Sequence, residues 1–168
     1  ETILDYGCGP GNDLIGFSHY SRPARIIGCD VSPKALSTAR RRINLHQIET
    51  ELIQISEDDD RLPFEDQSID YIHSSGVLHH VPDPLMVLRE FHRILAPGGL
   101  CRIMVYNHDS IWLHLYVAYQ KQIVENRYPG LAVEDAFAKT TDGEDCPISR
   151  AWRPSEFMAL ARTAGFAC

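Results

Sequence analysis

The sequence predicts an α/β protein: a doubly wound, mostly parallel sheet with helices on both faces. Two observations carry this. Over the first two thirds, short apolar runs alternate with segments of helical period, the pattern of strand–helix crossovers. A glycine cluster, DYGCGPGND from Asp5, directly follows the first apolar run. In an open parallel sheet, ligands bind beyond the carboxyl ends of the strands, where the strand order reverses.

The strand-like runs are TILDY (2–6), ARIIGCD (24–30), ELIQIS (51–56), SIDYIHS (68–74) and LCRIMVY (100–106). Between the second and third, SPKALSTARRRINLHQI puts Leu36, Ala39 and Ile43 on one helical face. Ser32 is suited to the N-cap and Pro33 to the first helical position. Arg40, Arg41 and Arg42 are expected on the solvated side. In DPLMVLREFHRILAPGG, Leu85, Leu88, Phe91 and Leu95 form the apolar stripe; Asp83 caps it and Pro97-Gly98-Gly99 is expected to end it. After Tyr106 the alternation stops. A helix is expected over SIWLHLYVAYQKQIVENRY, then the polar KTTDGEDCPISR, then a last amphipathic helix with Phe157, Leu160, Ala161 and Ala164 on one side. Residues 107–152 are too long for a plain connection and are expected to be an insertion covering a substrate.

At 168 residues the chain suits one domain. It opens on Glu1 with strand character and stops at AGFAC; both ends look cut, so residues 1–168 read as a fragment of a longer polypeptide. The net charge of −7 argues against nucleic acid or an anionic membrane as partner. Five cysteines show no close ligand spacing, and Cys29 and Cys101 sit in apolar runs; a reducing, cytoplasmic protein is expected. Neither a signal peptide nor a bilayer-spanning run is evident.

Glycine is costly to order, so the cluster needs a geometric reason. Gly7, Gly9 and Gly11 allow a tight turn and close approach of a ligand to backbone, with a helix beginning near Asn12. Asp30 closes the second strand, where a carboxylate can accept hydrogen bonds from both hydroxyls of a ribose. Together they indicate an adenosine-containing cofactor. A dinucleotide fingerprint wants G-x-G-x-x-G; the spacing here is G-x-G-x-G, with Asn at position 12.

ILDYGCGPG, Asp30, LPFEDQSIDYIHSSGVLHHVPDP and LREFHRILAPGG resemble class I S-adenosylmethionine-dependent methyltransferases, the group that includes quinone-ring and other small-molecule enzymes. The likeness runs from about Thr2 to Tyr106. It implies strand order 3-2-1-4-5, with a terminal hairpin that this chain lacks, so the fifth strand would be an edge. It implies S-adenosyl-L-methionine as cofactor. Asp5 would lie near its methionine end; Gly7, Cys8 and Gly9 would pass under methionine and ribose; Asp30 would hold the ribose. Val31 would pack on the adenine, and Asp58 or Asp59 would receive its amino group, although the run EDDD departs from the usual small residues and also reads as a solvated loop. Ser74 would line the methionine moiety.

Methyl transfer is displacement at a sulfonium carbon, and the protein's task is alignment. Should the acceptor need a base, His79, Tyr106 and His108 are the candidates at the ends of strands four and five; each reads equally as pocket wall. Trp112, Tyr116 and Tyr119 suit a packed helix or an aromatic wall, and Arg150 an acid clamp or a surface ion pair. Spacings such as H-x-x-x-H or C-x-x-C are absent, so no metal site is expected. The reading is methyl transfer to a small organic acceptor. The alternatives are a dinucleotide-dependent oxidoreductase and a noncatalytic subunit that binds S-adenosylmethionine.

Overall fold

The computed structural model describes residues 1–56 and 61–168. A five-stranded parallel sheet has the order β3-β2-β1-β4-β5, from β1 (Thr2–Tyr6), β2 (Arg25–Asp30), β3 (Glu51–Gln54), β4 (Ile69–Ser75) and β5 (Leu95–Met104). The order is the one the resemblance implied, and β5 is an edge.

Both faces of the sheet are covered. On one side α1 (Asn12–Gly16) and α2 (Pro33–His46) lie over β2: Leu14, Leu36 and Ile43 pack with Ile26 and Cys8. On the other, α3 (Pro84–Ile94) and the end of α5 (Pro154–Thr163) close over Leu4, Tyr6, Ile27, Cys29 and Ile72. Leu88, Phe91 and Ile94 are fully buried there, each stabilising by about 1.5–3 kcal/mol through removal of apolar surface from water. The caps are those read from sequence. Ser32 Oγ accepts from the Ala35 amide at 3.2 Å, and Asp83 Oδ1 accepts from Leu85 and Met86 at 3.0 and 3.1 Å.

Several expectations are corrected. The α3 helix ends at Ile94, earlier than Pro97-Gly98-Gly99, because Leu95 is already paired with Ile69. Residues 96–99 instead form an irregularity before Leu100 pairs with Tyr71. Gly99 is required there: a Cβ would meet the carbonyl oxygens of Asp70 and Ala96 at 2.8 and 2.9 Å. Arg40 and Arg41 are exposed, but Arg42 reaches Asn12 Oδ1 at the start of α1. The helix expected within SIWLHLYVAYQKQIVENRY is present and winds as a π-helix (Trp112–Val124), and Phe17–Ser21 continues α1 in the same way.

That π-helix packs on α4 (Val133–Asp142) through Leu113, Val117, Ala136 and Phe137, a small core of its own. The segment is framed by a two-stranded parallel ladder of β6 (Tyr106–Asn107) and β7 (Ala151–Trp152). Trp112 and Tyr119 are about half exposed, and neither lines the main cavity described below. Trp112 donates to Thr141 and stacks, tilted, on Tyr116. Trp112 and Tyr116 thus contribute to the packing of the segment. Among the described residues, no helix is long and apolar enough to cross a membrane.

Backbone carbonyls in a sheet cannot move aside as a side-chain tip can. Gly99→Ala is expected to destabilise the protein by about 2 kcal/mol, read as a lowered urea midpoint; an unchanged midpoint would show that the β4–β5 irregularity has slack.

Candidate functional site

The site begins where β1 ends. The amides of Gly7 and Cys8 both donate to the Cys29 carbonyl, at 2.8 and 3.0 Å. This fastens the glycine loop to β2 and turns the chain sharply. Gly7, Gly9 and Gly11 have φ of 73, 52 and 80°, the left-handed region that costs other residues about 1–2 kcal/mol. They differ in what surrounds them. A Cβ on Gly7 would strike Val77 at 2.3 Å and one on Gly11 would press on Ala39 at 3.1 Å, whereas among the described residues nothing lies within 4 Å of a Cβ on Gly9. Gly9 turns its bare backbone to open space.

Asp30 braces the same loop. Its Oδ2 accepts from the Gly9 amide and its Oδ1 from the Ser32 amide, both at 2.8 Å. A carboxylate oxygen has two acceptor directions, so each retains one for a ligand hydroxyl. Asp30 also lines a cavity of about 310 Å³, together with Gly7, Val31, Gly76, His80 and Met86. Much of the remaining wall is apolar: Ile55, Leu62, Val77, Val81 and Val87. This is a small-ligand pocket, largely apolar with few convergent polar groups. Val31, expected against an adenine, is thus on the wall. Asp58 and Asp59 lie outside the described residues.

Two polar groups near the loop have unmet hydrogen-bonding capacity. Asp5 is buried, and among the described residues its Oδ2 has no partner. Burial, with lesser repulsion from Asp13 and Asp30, pushes its carboxyl up to about 7. Ser74 Oγ, fully buried on β4, also lacks a partner. Cys8 has a different character: burial and the nearby acids push its thiol up to about 12, so it is a filler and not a nucleophile.

The three candidate bases separate. His79 and Tyr106 are together, rings stacked at 3.9 Å. His79 is fully buried, and burial holds its imidazole down at about 4. Tyr106 donates to Asp142 Oδ1 at 2.8 Å, and burial followed by that carboxylate raises its phenol to about 12. His108 is elsewhere, its ring nitrogens 3.3 Å from Asp109 and 3.6 Å from Glu134; it does not line the cavity. His80, the neighbour of His79, does.

Sequence reasoning missed Asp142, which accepts from Tyr106 and from Ser149 Oγ, and the polar frame under the cavity. Glu90, on the cavity wall, binds Arg93 at 2.6 Å and accepts from the Leu62 amide at 2.8 Å. Arg93 also holds the Leu62 and Phe64 carbonyls. The Arg93 guanidinium keeps the Glu90 carboxyl below its ordinary value. Arg150 donates to the carbonyls of Val81 and Pro82, and among the described residues it has no ion-pair partner. No periodicity signals such contacts, since their donors and acceptors lie up to 69 residues apart.

Residues 4–103 match the family described as a methyltransferase domain. The match covers more than half of the chain, which belongs to that family, with the mostly parallel, Rossmann-like sheet of class I S-adenosylmethionine-dependent methyltransferases. Among curated relatives, an uncharacterized 37.1 kDa protein in transposon TN4556 of Streptomyces fradiae is 41% identical over 169 residues, covering 99% of this chain and 44% of that protein. A demethylmenaquinone methyltransferase of Oceanobacillus iheyensis is 36% identical over 103 residues, 59% of this chain and 42% of the enzyme. The chain thus spans less than half the length of either relative. A crystal structure of an S-adenosylmethionine-dependent methyltransferase from Mesorhizobium loti has the same fold, with a TM-score of 0.70 at 23% identity, over 99% of this chain and 74% of that one.

The Asp5 carboxyl carries a sign that can be checked. Its folded value lies above its unfolded one, so between about pH 4 and pH 7 the folded state holds the extra proton, and stability falls as pH rises through that window. Asp5→Asn removes this loss. Its stability relative to the parent should improve by on the order of 3 kcal/mol from pH 4 to pH 8, measured by denaturant unfolding. A pH-independent difference would contradict the burial of a raised carboxyl.

Proposed function

We propose that this chain holds S-adenosyl-L-methionine and supports methyl transfer to a small organic acceptor. The observation that carries the reading is Asp30: it lines the cavity, braces Gly9, and keeps one acceptor direction on each oxygen. That geometry suits the two hydroxyls of a ribose lying over the open side of Gly9.

The rest of the donor set fits the same cofactor. Asp5 Oδ2 and Ser74 Oγ are buried acceptors without a partner, suited to an ammonium group and a polar methionine end. Gly7 and Cys8 belong to the turn under that end, Gly11 to the start of α1, and Val31 to the adenine side. When bound, the cofactor supplies a methyl group on a sulfonium sulfur, and displacement needs alignment more than proton transfer. Among the three candidate bases, His79 is neutral at physiological pH and stacks on Tyr106; we read both as the wall behind the acceptor. His108 faces Asp109 and Glu134 and is read as supporting the 107–152 segment.

That segment is proposed as the acceptor's cover. The support is its attachment to the cavity rim: Arg150 holds the Val81 and Pro82 carbonyls, and His80 Nδ1 lies 2.8 Å from the Ile148 carbonyl. The acidic balance disfavours a nucleic-acid acceptor. A relative that acts on demethylmenaquinone by name is consistent with an apolar ring acceptor. The burial of Cys29 and Cys8 as thiols is consistent with the proposed reducing, cytoplasmic setting.

Asp30→Ala tests the reading. Affinity for S-adenosylhomocysteine, measured by calorimetry, should fall about thirtyfold, the cost of about 2 kcal/mol for losing charge-assisted bonds. Unchanged affinity would overturn it. Transfer of labelled methyl into a metabolite extract by the parent protein separates catalysis from binding alone.

A further inference from the structure

Two imidazoles and a carboxylate converge beside the cavity. His79 is fully buried, and among the described residues neither ring nitrogen has a hydrogen-bond partner. His80 Nδ1 lies 2.8 Å from the Ile148 carbonyl. A carbonyl only accepts, so Nδ1 is the donor in this contact, and Nε2 is the nitrogen that can offer a lone pair to a ligand. That lone pair faces Asp142 Oδ1 at 3.9 Å. Asp142 is fixed by the Tyr106 hydroxyl at 2.8 Å and the Ser149 hydroxyl at 2.6 Å. One donor atom each from His79, His80 and Asp142 lie within 4.8 Å of one another.

We propose that these three residues bind a divalent cation of the zinc class. Two imidazoles and one carboxylate are borderline donors that suit zinc or cobalt and not magnesium, which prefers oxygen alone. Ligand atoms about 2.0–2.2 Å from a shared ion lie roughly 3–4 Å apart, close to the observed spread. The outer contacts are those of a built metal site: a backbone carbonyl on the far nitrogen of His80, and two hydroxyls on the carboxylate. The Tyr106 ring stacks on His79 at 3.9 Å and fixes its plane. Three protein donors leave a coordination position for water or an acceptor oxygen, and His80 places the site on the cavity rim.

A protonated His80 paired with Asp142 would satisfy that contact but would leave His79 without a partner. Of the two other clusters, His108 with Asp109 and His114 is more exposed, and acidic groups already face both nitrogens of His108; Asp5, Asp13 and His73 offer a single imidazole. Sequence spacing hid the proposed site because Asp142 stands far along the chain from His79 and His80. The proposal does not depend on the methyl-transfer reading.

The test uses chelator-stripped protein dialysed against zinc alone. One zinc per chain is expected. His80→Ala and Asp142→Asn should each weaken binding at least about tenfold, and His114→Ala should not. X-ray absorption should show nitrogen and oxygen neighbours at about 2.0–2.1 Å and no sulfur at about 2.3 Å. Where a ligand variant fails to fold, Tyr106→Phe keeps the stacked ring, removes only the hydroxyl on Asp142, and should still weaken binding. Absence of bound zinc, a sulfur shell, or unaltered affinity in the folded variants overturns the proposal.

Discussion

The Cys29 carbonyl, in accepting both the Gly7 and the Cys8 amide, sets the direction of the backbone at the mouth of the sheet. Two consecutive donors can reach one acceptor only if the chain turns hard between them, and the left-handed φ of Gly7 makes that turn. The turn brings Gly9 beside Asp30, whose carboxylate closes the brace from the end of the same strand. Everything proposed for the donor half of the site depends on this joint. Without it the Gly9 backbone would not face open space, and Asp30 would have no reason to be held at the cavity wall.

The joint also explains a packing cost accepted nearby. Gly28 sits mid-strand, where glycine is a poor choice, yet a Cβ there would meet Leu14 and Cys8 at 2.7 and 2.9 Å. The fastened loop tucks Cys8 inward, and the strand beneath gives up a side chain to make room. On the opposite wall, Arg93 and Glu90 hold the backbone at Leu62 and Phe64, fixing the apolar side of the cavity by charged groups behind it. At the rim, Arg150 and His80 tie the segment between β6 and β7 to the β4–α3 turn. The cavity is thus bounded by three separately anchored pieces of chain.

What could be read from sequence was local. The caps at Ser32 and Asp83, the left-handed glycines and the buried stripe of α2 follow from steric and periodic rules that act within a turn or two. The strand order was implied by the family resemblance that the motifs carry, and was not read from any local rule. What could not be read was set by distance or competition. The end of α3 was decided by pairing of Leu95 with Ile69, not by the Pro97-Gly98-Gly99 signal two residues later. Arg150 found backbone carbonyls 68 and 69 residues away. Asp142, at the end of a helix with no motif of its own, became the partner of Tyr106, Ser149 and His80.

The central claim is that Gly9 is glycine so that a ligand can lie on it, since among the described residues no atom occupies the space beside it. Gly9→Ala tests it most directly. The account predicts a modest loss of stability, about 1 kcal/mol for the left-handed φ, with S-adenosylhomocysteine affinity falling by an order of magnitude or more in the same calorimetric titration. Affinity within twofold of the parent, in a protein that remains folded, would contradict it.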